Sequence, residues 1–363
     1  MTTEGIGVAP DGVGSPRARA VGRIEEMRSV PWFRLPWGFV FKQTLRGFSK
    51  VAATDLAAGL TYFAVLSLFP AMIALVSLLG LVGQSSAGIN ALFSLVDQVA
   101  PGMTKVVRGP IESLASSPAT GWALVIGLVG AIWSASGYVG GFGRALNRIY
   151  GVQEGRPFMR LRPVQLGVTV ASLVLLSVVA ILLVVSGPFA HALGSLIGLG
   201  DAAVAAWNIL RWPIVVVALV ILVALLYAAT PNVSYPRFRW LTFGSVLAIV
   251  VLGIASALFA FYVANFGSYD KTYGTLAGII VFLLWIYIAN VSLLFGAVLD
   301  AELERARELA SGLDATSEIH LPLKSDQAIV KARDAEAGAI LAARAVRRKY
   351  RDPALSRSGE AQP

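Results

Sequence analysis

The sequence predicts an all-α integral membrane protein, a bundle of six transmembrane helices. Composition is the first observation behind this prediction: of the 363 residues, 56% are hydrophobic and 14% are charged. In a soluble globular domain about 45–50% of the residues are hydrophobic and about 25% are charged. The mean hydropathy of +0.71 points the same way. The second observation is the length of the apolar runs, and the third is the placement of lysine and arginine between them.

Six apolar runs are long enough to cross a membrane, because a helix needs about 20 such residues to span a hydrocarbon core of roughly 30 Å. None has Asp, Glu, Lys or Arg in its middle, and they cover residues 56–82, 121–140, 164–188, 212–230, 241–265 and 274–299. A membrane β-barrel would instead show segments of about 10 residues with alternating polarity. The continuous runs therefore favour helices.

The cationic residues fall almost entirely on one side of these spans. Summed over alternate compartments, 26 of the 30 Lys and Arg residues lie on one side and four on the other. Without the C-terminal tail the ratio is still 15 to four. Since basic loops stay in the cytoplasm, both termini are expected there, in the plasma or inner membrane of a cell. Residues 1–50 have no apolar signal-peptide core, so the first span is expected to act as an uncleaved anchor.

Three further segments complete the predicted organisation. Residues 1–30 form a disordered tail, and residues 31–305 form the membrane domain. This domain opens with an aromatic and basic stretch at 31–50, typical of an interfacial helix. The first outer loop, 83–120, contains an amphipathic helix, because Ile89, Leu92, Phe93, Val96 and Val99 recur at helical spacing. Residues 306–363 form a cytoplasmic C-terminal tail, partly helical.

The inner end of the second span carries the most informative residues. Gly137 and Gly141, four residues apart, predict close helix packing in lipid. Arg144, Asn147 and Arg148 share one helical face, and Arg156 follows in the next loop. This cationic group suits a phosphate, a carboxylate or a lipid headgroup. The alternative is that the charges only fix the orientation of the chain.

Two carboxylates are predicted at the same depth as these arginines. Asp55 begins the first span and Asp300 ends the sixth. One or both are expected to pair with Arg144 or Arg148 as an inner latch, although Asp55 also fits a helix N-cap.

A few polar or helix-bending residues within the spans are expected to face the bundle. Asn290 needs a hydrogen-bond partner in lipid, and interhelical contact is a commoner role for it than substrate contact. The predicted set is Tyr62, Ser67, Pro70, Tyr287 and Asn290, with Pro70 expected to kink the first span.

Several kinds of chemistry lack their residues. The chain has no cysteine and two histidines, so neither a metal centre nor another cofactor is expected. It also lacks the phosphate-binding loop of ATPases and a carboxylate or lysine in mid-membrane that could carry protons. We therefore expect that the protein is not an enzyme.

Four stretches resemble the BrkB/YihY family of bacterial inner-membrane proteins, once labelled ribonuclease BN. They are LAAGLTYFAVLSLFP at 56–70, ALNRIYGVQEGRPF within 132–162, LLYAATPNVSYPRFRW at 225–240 and YGTLAGIIVFLLWIYIANVSLLFGAVLDAELER at 273–305. The resemblance implies a six-helix inner-membrane protein whose usual suggested role is transport of lipids or small solutes.

The leading functional hypothesis is a transporter or flippase-like protein for a lipid or small solute, without its own ATPase. The alternative is a non-transporting scaffold that docks a cytoplasmic partner through its tails. Membrane lipids with anionic headgroups are the expected partners, nucleic acid is not expected, and a homo-oligomer is left open.

Overall fold

The computed structural model describes residues 35–82, 120–184, 201–234, 242–265 and 275–351. These residues form eight helices and, apart from one antiparallel bridge between Val233 and Leu323, no β-structure. The helices are α1 (Trp37–Lys50), α2 (Ala53–Val82), α3 (Thr120–Ile149), α4 (Phe158–Val184), α5 (Asp201–Ala229), α6 (Phe243–Asn265), α7 (Thr275–Ala310) and α8 (Gln327–Arg351). The predicted all-α class is confirmed for the described part of the chain.

Five of the helices, α3 to α7, are long and apolar enough to cross a membrane. The number rises to six if α1 and the first half of α2, which meet at 61°, count as one broken span. The bend lies at Ala52, whose φ of 53° is a left-handed conformation that ends α1. The amphipathic helix predicted in the first outer loop lies outside the described residues.

The helices extend beyond the predicted spans at several ends. α4 begins at Phe158 and contains Pro163 just beyond its first turn, where the missing backbone N–H leaves the carbonyl of Met159 without its helical donor. α5 begins at Asp201 and contains Pro213, but it ends at Ala229, just before Pro231 as the sequence indicated. Helix ends of this kind are set by the surrounding packing as well as by local breakers.

One hydrophobic core joins α2, α3, α5, α6 and α7 near one end of the bundle. This is the end at which α3 ends and α4 begins, and we term it the basic face. Its largest fully buried side chains include Phe142, Leu146, Tyr227, Leu294 and Val298. The rest of α6 exposes its apolar side chains, with only 6% of its membrane window buried. Such exposure is stable in lipid, where apolar surface carries no hydration penalty.

α6 and α7 approach closely at a pair of glycines. A methyl group on Gly296 would overlap the backbone of Gly244 and lie 2.7 Å from Cβ of Ala248. Beside this contact, the Gly244 N–H donates to Oδ1 of Asp300 at 2.7 Å. Asp300 therefore caps the start of α6, where backbone N–H groups lack helical partners.

The segment after α7 packs on the membrane domain. Ala306 and Ala315 are buried, and the fully buried carboxylate of Glu308 accepts hydrogen bonds from the backbone N–H of His320 at 2.9 and 3.1 Å. Packing thus continues across the domain boundary predicted at residue 305. α8 is different, since Ile329 is its one buried residue among those described.

Candidate functional site at the basic face

The loop between α3 and α4 is held by a buried arginine. Arg156, 8% exposed, donates from Nε and Nη2 to the two carboxylate oxygens of Glu154, each at 2.8 Å. It also donates to the carbonyls of Thr230 at 2.6 Å and Ala229 at 3.3 Å, at the end of α5. Burial alone would raise the pKa of Glu154, but the hydrogen bonds and charge of Arg156 outweigh it and lower that pKa.

Asn232, with no exposed surface, joins three parts of the chain. Its Nδ2 donates to the carbonyls of Gln153 at 3.0 Å and Ser325 at 2.8 Å. Its Oδ1 accepts from the Ser325 N–H at 3.2 Å, and its own N–H donates to Oδ1 of Asn147 at 2.7 Å. The α3–α4 loop, the end of α5 and the segment before α8 therefore meet at one amide side chain.

Lys324 caps the end of α5. Its Nζ donates to the carbonyls of Ala228 at 2.7 Å, Pro231 at 2.9 Å and Ala229 at 3.2 Å, where a helix leaves carbonyls without partners. Burial, together with the charge of Arg156, lowers the pKa of Lys324 to about 8. We call this group of Asn147, Glu154, Arg156, Asn232, Lys324 and Ser325 the polar clamp.

The polar clamp is a structural junction and not an open site. The carboxylate of Glu154 already accepts bonds from Asn147 and Arg156, and Gly155 has no room for a side chain because the Ser325 carbonyl lies against it. Buried polar groups that satisfy one another in this way fix the relative positions of the segments that carry them. Asn147 and Arg156, two of the expected headgroup contacts, are used in this junction.

The other two expected contacts, Arg144 and Arg148, have exposed side chains at the end of α3. No described acidic residue forms an ion pair with either. The guanidinium of Arg144 lies 5.8 Å from the centre of the Phe63 ring on α2. This pair of arginines is therefore accessible from outside the protein.

The predicted inner latch is not formed among the described residues. Asp300 caps α6 through Gly244 instead of meeting the arginines. Asp55 is exposed in the first turn of α2 and accepts from the Thr54 hydroxyl at 3.5 Å. The reason is positional: α7 places Asp300 against α6, away from the exposed face of α3.

Within the bundle, Asn290 lies where the sequence placed it. It is 2% exposed, accepts from the Tyr138 hydroxyl at 2.8 Å and donates to Oγ1 of Thr61 at 3.2 Å. The triad joins α3, α7 and α2. Both polar atoms of the Asn290 side chain bond to protein groups, as expected of a polar link between helices.

The remaining predicted residues divide between the bundle and the surface. Tyr287 packs against the core, and Ser67 donates to the carbonyl of Ala64 at 2.6 Å. Tyr62, expected inside, is 61% exposed; its neighbour Thr61 takes the inner position, one residue and about 100° away on the helix. Pro70 lies within the α2 backbone, and its side chain is outside the described part.

Gly137 and Gly141 face α2. A methyl group on Gly137 would lie 3.4 Å from the Phe63 ring, and one on Gly141 would lie 3.2 Å from that ring and 3.3 Å from Leu60. The two glycines thus lie where a phenylalanine of the neighbouring helix packs. Within the described ranges there is no group of three His, Cys, Asp or Glu side chains that could hold a metal ion.

Comparison with known proteins gives a consistent set of relatives. A family model described as "Virulence factor BrkB" matches residues 44–318. The "Putative ribonuclease-like protein YfkH" of Bacillus subtilis is 32% identical over 254 residues, which cover 70% of this chain and 90% of that protein. A "UPF0761 membrane protein" of Alkalilimnicola ehrlichii is 29% identical over 296 residues, 78% of this chain and 62% of the relative. No solved structure matches the chain.

Proposed function

The chain belongs to the BrkB family of membrane proteins, and from this premise we propose that it transports or flips a lipid or small solute with an anionic group. It is a multi-pass membrane protein, and the proposal places it in the plasma or inner membrane with six spans and both termini in the cytoplasm. Transport would proceed without an ATPase of its own.

One observation supports the anionic cargo. Arg144 and Arg148 are exposed at the basic face without a described acidic partner, while the neighbouring Arg156 is already neutralised by Glu154. Guanidinium groups next to a membrane bind phosphate and carboxylate oxygens strongly. If these charges served only to orient the chain, neutralising them would alter insertion without altering cargo selection.

The test uses purified protein in liposomes that contain fluorescent phosphatidylglycerol, with a membrane-impermeant quencher outside. Wild-type protein should accelerate the loss of inner-leaflet fluorescence. Arg144→Gln/Arg148→Gln should slow it by at least about tenfold, since the loss of even one charge-assisted bond costs about 1.5–3 kcal/mol and about 1.4 kcal/mol corresponds to a tenfold change. Arg333→Gln, an exposed arginine on α8, is the matched control. A wild-type rate equal to that of protein-free liposomes, with no uptake of anionic solutes, would refute transport.

The exposed α8 gives the scaffold alternative its best support, because a docking protein needs a free surface. A chain ending at residue 326 separates the two functions. A transporter should keep its phenotype without α8, and a scaffold should lose it. The segment 311–326 must be retained in this experiment, because the polar clamp makes Lys324 and Ser325 part of the membrane domain.

The printed name of the Bacillus subtilis relative suggests ribonuclease-like activity for that protein. We propose that this chain is not an enzyme, because the described groups at the basic face that could act as a general base are already bound: Glu154 by Arg156, and Lys324 by the carbonyls at the end of α5. Incubation of purified protein with RNA tests this directly. Hydrolysis that co-purifies with the protein and disappears in Glu154→Gln or His320→Gln would contradict it.

A further inference from the structure

Two arginines and an amide lie together on the outer surface of α3 and α4, next to two exposed aromatic residues. We define this α3–α4 cleft by Trp133, Gly140 and Arg144 on α3 and by Phe158, Arg162 and Gln165 on α4. Both helices are long and apolar enough to cross a membrane, and Trp133 and Phe158 are 60% and 63% exposed. Exposed aromatic side chains of a membrane helix lie against lipid, so the cleft opens to the bilayer and not to the core of the protein.

The guanidinium of Arg162 is held by aromatic rings. Its central carbon lies 5.2 Å from the centre of the Trp133 ring and 5.3 Å from that of Phe158. Its Nη1 donates to Oε1 of Gln165 at 3.4 Å. Cation–π contacts of this length fix the orientation of the guanidinium and leave its other N–H groups able to donate.

Gly140 provides the floor of the cleft. A methyl group at this position would lie 3.1 Å from Nε2 of Gln165 and 3.5 Å from Nη1 of Arg144. The amide and the second guanidinium therefore both lie against α3 at Gly140, which is buried beneath them, and the absence of a side chain at this position lets the two groups approach each other. No described acidic residue pairs with Arg144 or Arg162.

Two cations and an amide donor, brought together over a buried glycine on the lipid-facing surface of a helix pair, are groups that bind a phosphate oxyanion. We propose that the α3–α4 cleft binds the phosphate of an anionic phospholipid, with Arg144, Arg162 and Gln165 as donors and Trp133 beside the upper acyl chain. The cleft deepens the proposed function by naming its substrate class. The inference rests on the proposed function for its biological role, but lipid binding by the cleft can be measured separately from transport.

Binding can be measured by native mass spectrometry of the full chain in detergent, titrated with short-chain phosphatidylglycerol, phosphatidylcholine or glycerol phosphate. Phosphatidylglycerol should bind at least about tenfold more tightly than phosphatidylcholine, because both arginines then meet uncompensated negative charge. Arg144→Gln/Arg162→Gln should remove this preference. Weak binding of glycerol phosphate would identify the lipid, and not a soluble phosphate, as the ligand.

Two glycine variants separate the shape of the cleft from its charge. Gly140→Val keeps every cation but fills the point between Arg144 and Gln165, and it should weaken phosphatidylglycerol binding about tenfold. Gly167→Val on α4 is the matched control, because nothing lies within 4 Å of a methyl group there. Both variants should elute and melt as wild type does, which separates a blocked cleft from a misfolded protein.

Each result bears on one proposal. Unchanged phosphatidylglycerol affinity in Gly140→Val and in the double arginine variant would refute lipid binding in the cleft. Wild-type affinity for phosphatidylcholine equal to that for phosphatidylglycerol, or tighter binding of glycerol phosphate, would refute it as well. Cleft-dependent binding combined with no lipid flipping in liposomes would leave the cleft intact and refute the transport function.

Discussion

Replacing Asn232 with alanine should loosen the whole basic face, because this amide joins three separate segments. The side chain takes part in three hydrogen bonds, to the carbonyls of Gln153 and Ser325 and from the Ser325 N–H. All three are lost in Asn232→Ala. The backbone N–H of residue 232 still donates to Asn147, so the loss is confined to the side chain.

The expected cost is about 3 kcal/mol, at about 1 kcal/mol for each net hydrogen bond in a site where the released groups stay buried. With about 2–4 °C for each kcal/mol in a large domain, the melting temperature should fall by about 6–12 °C. Part of this cost should appear locally, because the segment 311–326 loses one of its anchors and should be cut faster by proteases.

Thermal unfolding followed by tryptophan fluorescence in detergent measures the global effect, and limited proteolysis with mass spectrometry measures the local one. Ser234→Ala is the control: its side chain is exposed and its backbone N–H keeps its bond to the Pro322 carbonyl. If Asn232→Ala melts within about 1 °C of Ser234→Ala and is cut no faster between residues 311 and 326, the polar clamp does not hold the basic face together.

Three further predictions concern the C-terminal segment and the α6–α7 contact. A chain ending after residue 326 should melt as the full chain does, whereas one ending after 310 should be recovered in low yield; equal recovery would contradict the role of the clamp. Lys324 has a folded pKa of about 8 against an ordinary 10.5, so between these pH values the unfolded chain keeps a proton that the folded chain has lost. Stability should therefore rise with pH in this window for wild type but not for Lys324→Met, and parallel melting curves would refute it. Gly296→Ala should lower the free energy of unfolding by about 1–3 kcal/mol, because the new methyl group would overlap the backbone of α6. Gly253→Ala is the control, since nothing lies within 4 Å of a methyl group there. Equal melting temperatures for the two variants would contradict a close contact between α6 and α7.

The apolar helices α3 to α7 and the exposed arginines could be predicted from sequence because both signals are local. Hydrophobicity over about 20 residues and the charge of the adjoining loop need no knowledge of the neighbouring helices. The same reasoning located Asn290, since a buried amide in lipid must find partners. It misplaced Tyr62, because hydropathy alone does not fix the rotation of a uniformly apolar helix about its axis.

The polar clamp could not be predicted, because its members are far apart in the chain. Asn232 and Ser325 are separated by 93 residues, and neither belongs to a motif with a known spacing. The available signal was indirect: α5 ends before Pro231, and its last carbonyls had to find donors. Tertiary packing alone identifies Lys324 and Arg156 as those donors, and it also explains why Arg156 differs from Arg144, although both were predicted as headgroup contacts.

Single-cysteine labelling tests most directly that the basic face lies in the cytoplasm. The natural chain has no cysteine, so Gln153→Cys in the α3–α4 loop and Tyr350→Cys on α8, both exposed positions, can each be probed alone with a membrane-impermeant maleimide on spheroplasts. Both should react only after the membrane is opened, whereas Ser116→Cys in the predicted outer loop should react at once. Labelling of residue 153 in sealed spheroplasts would place Arg144 and Arg148 outside the cell and contradict the proposed orientation.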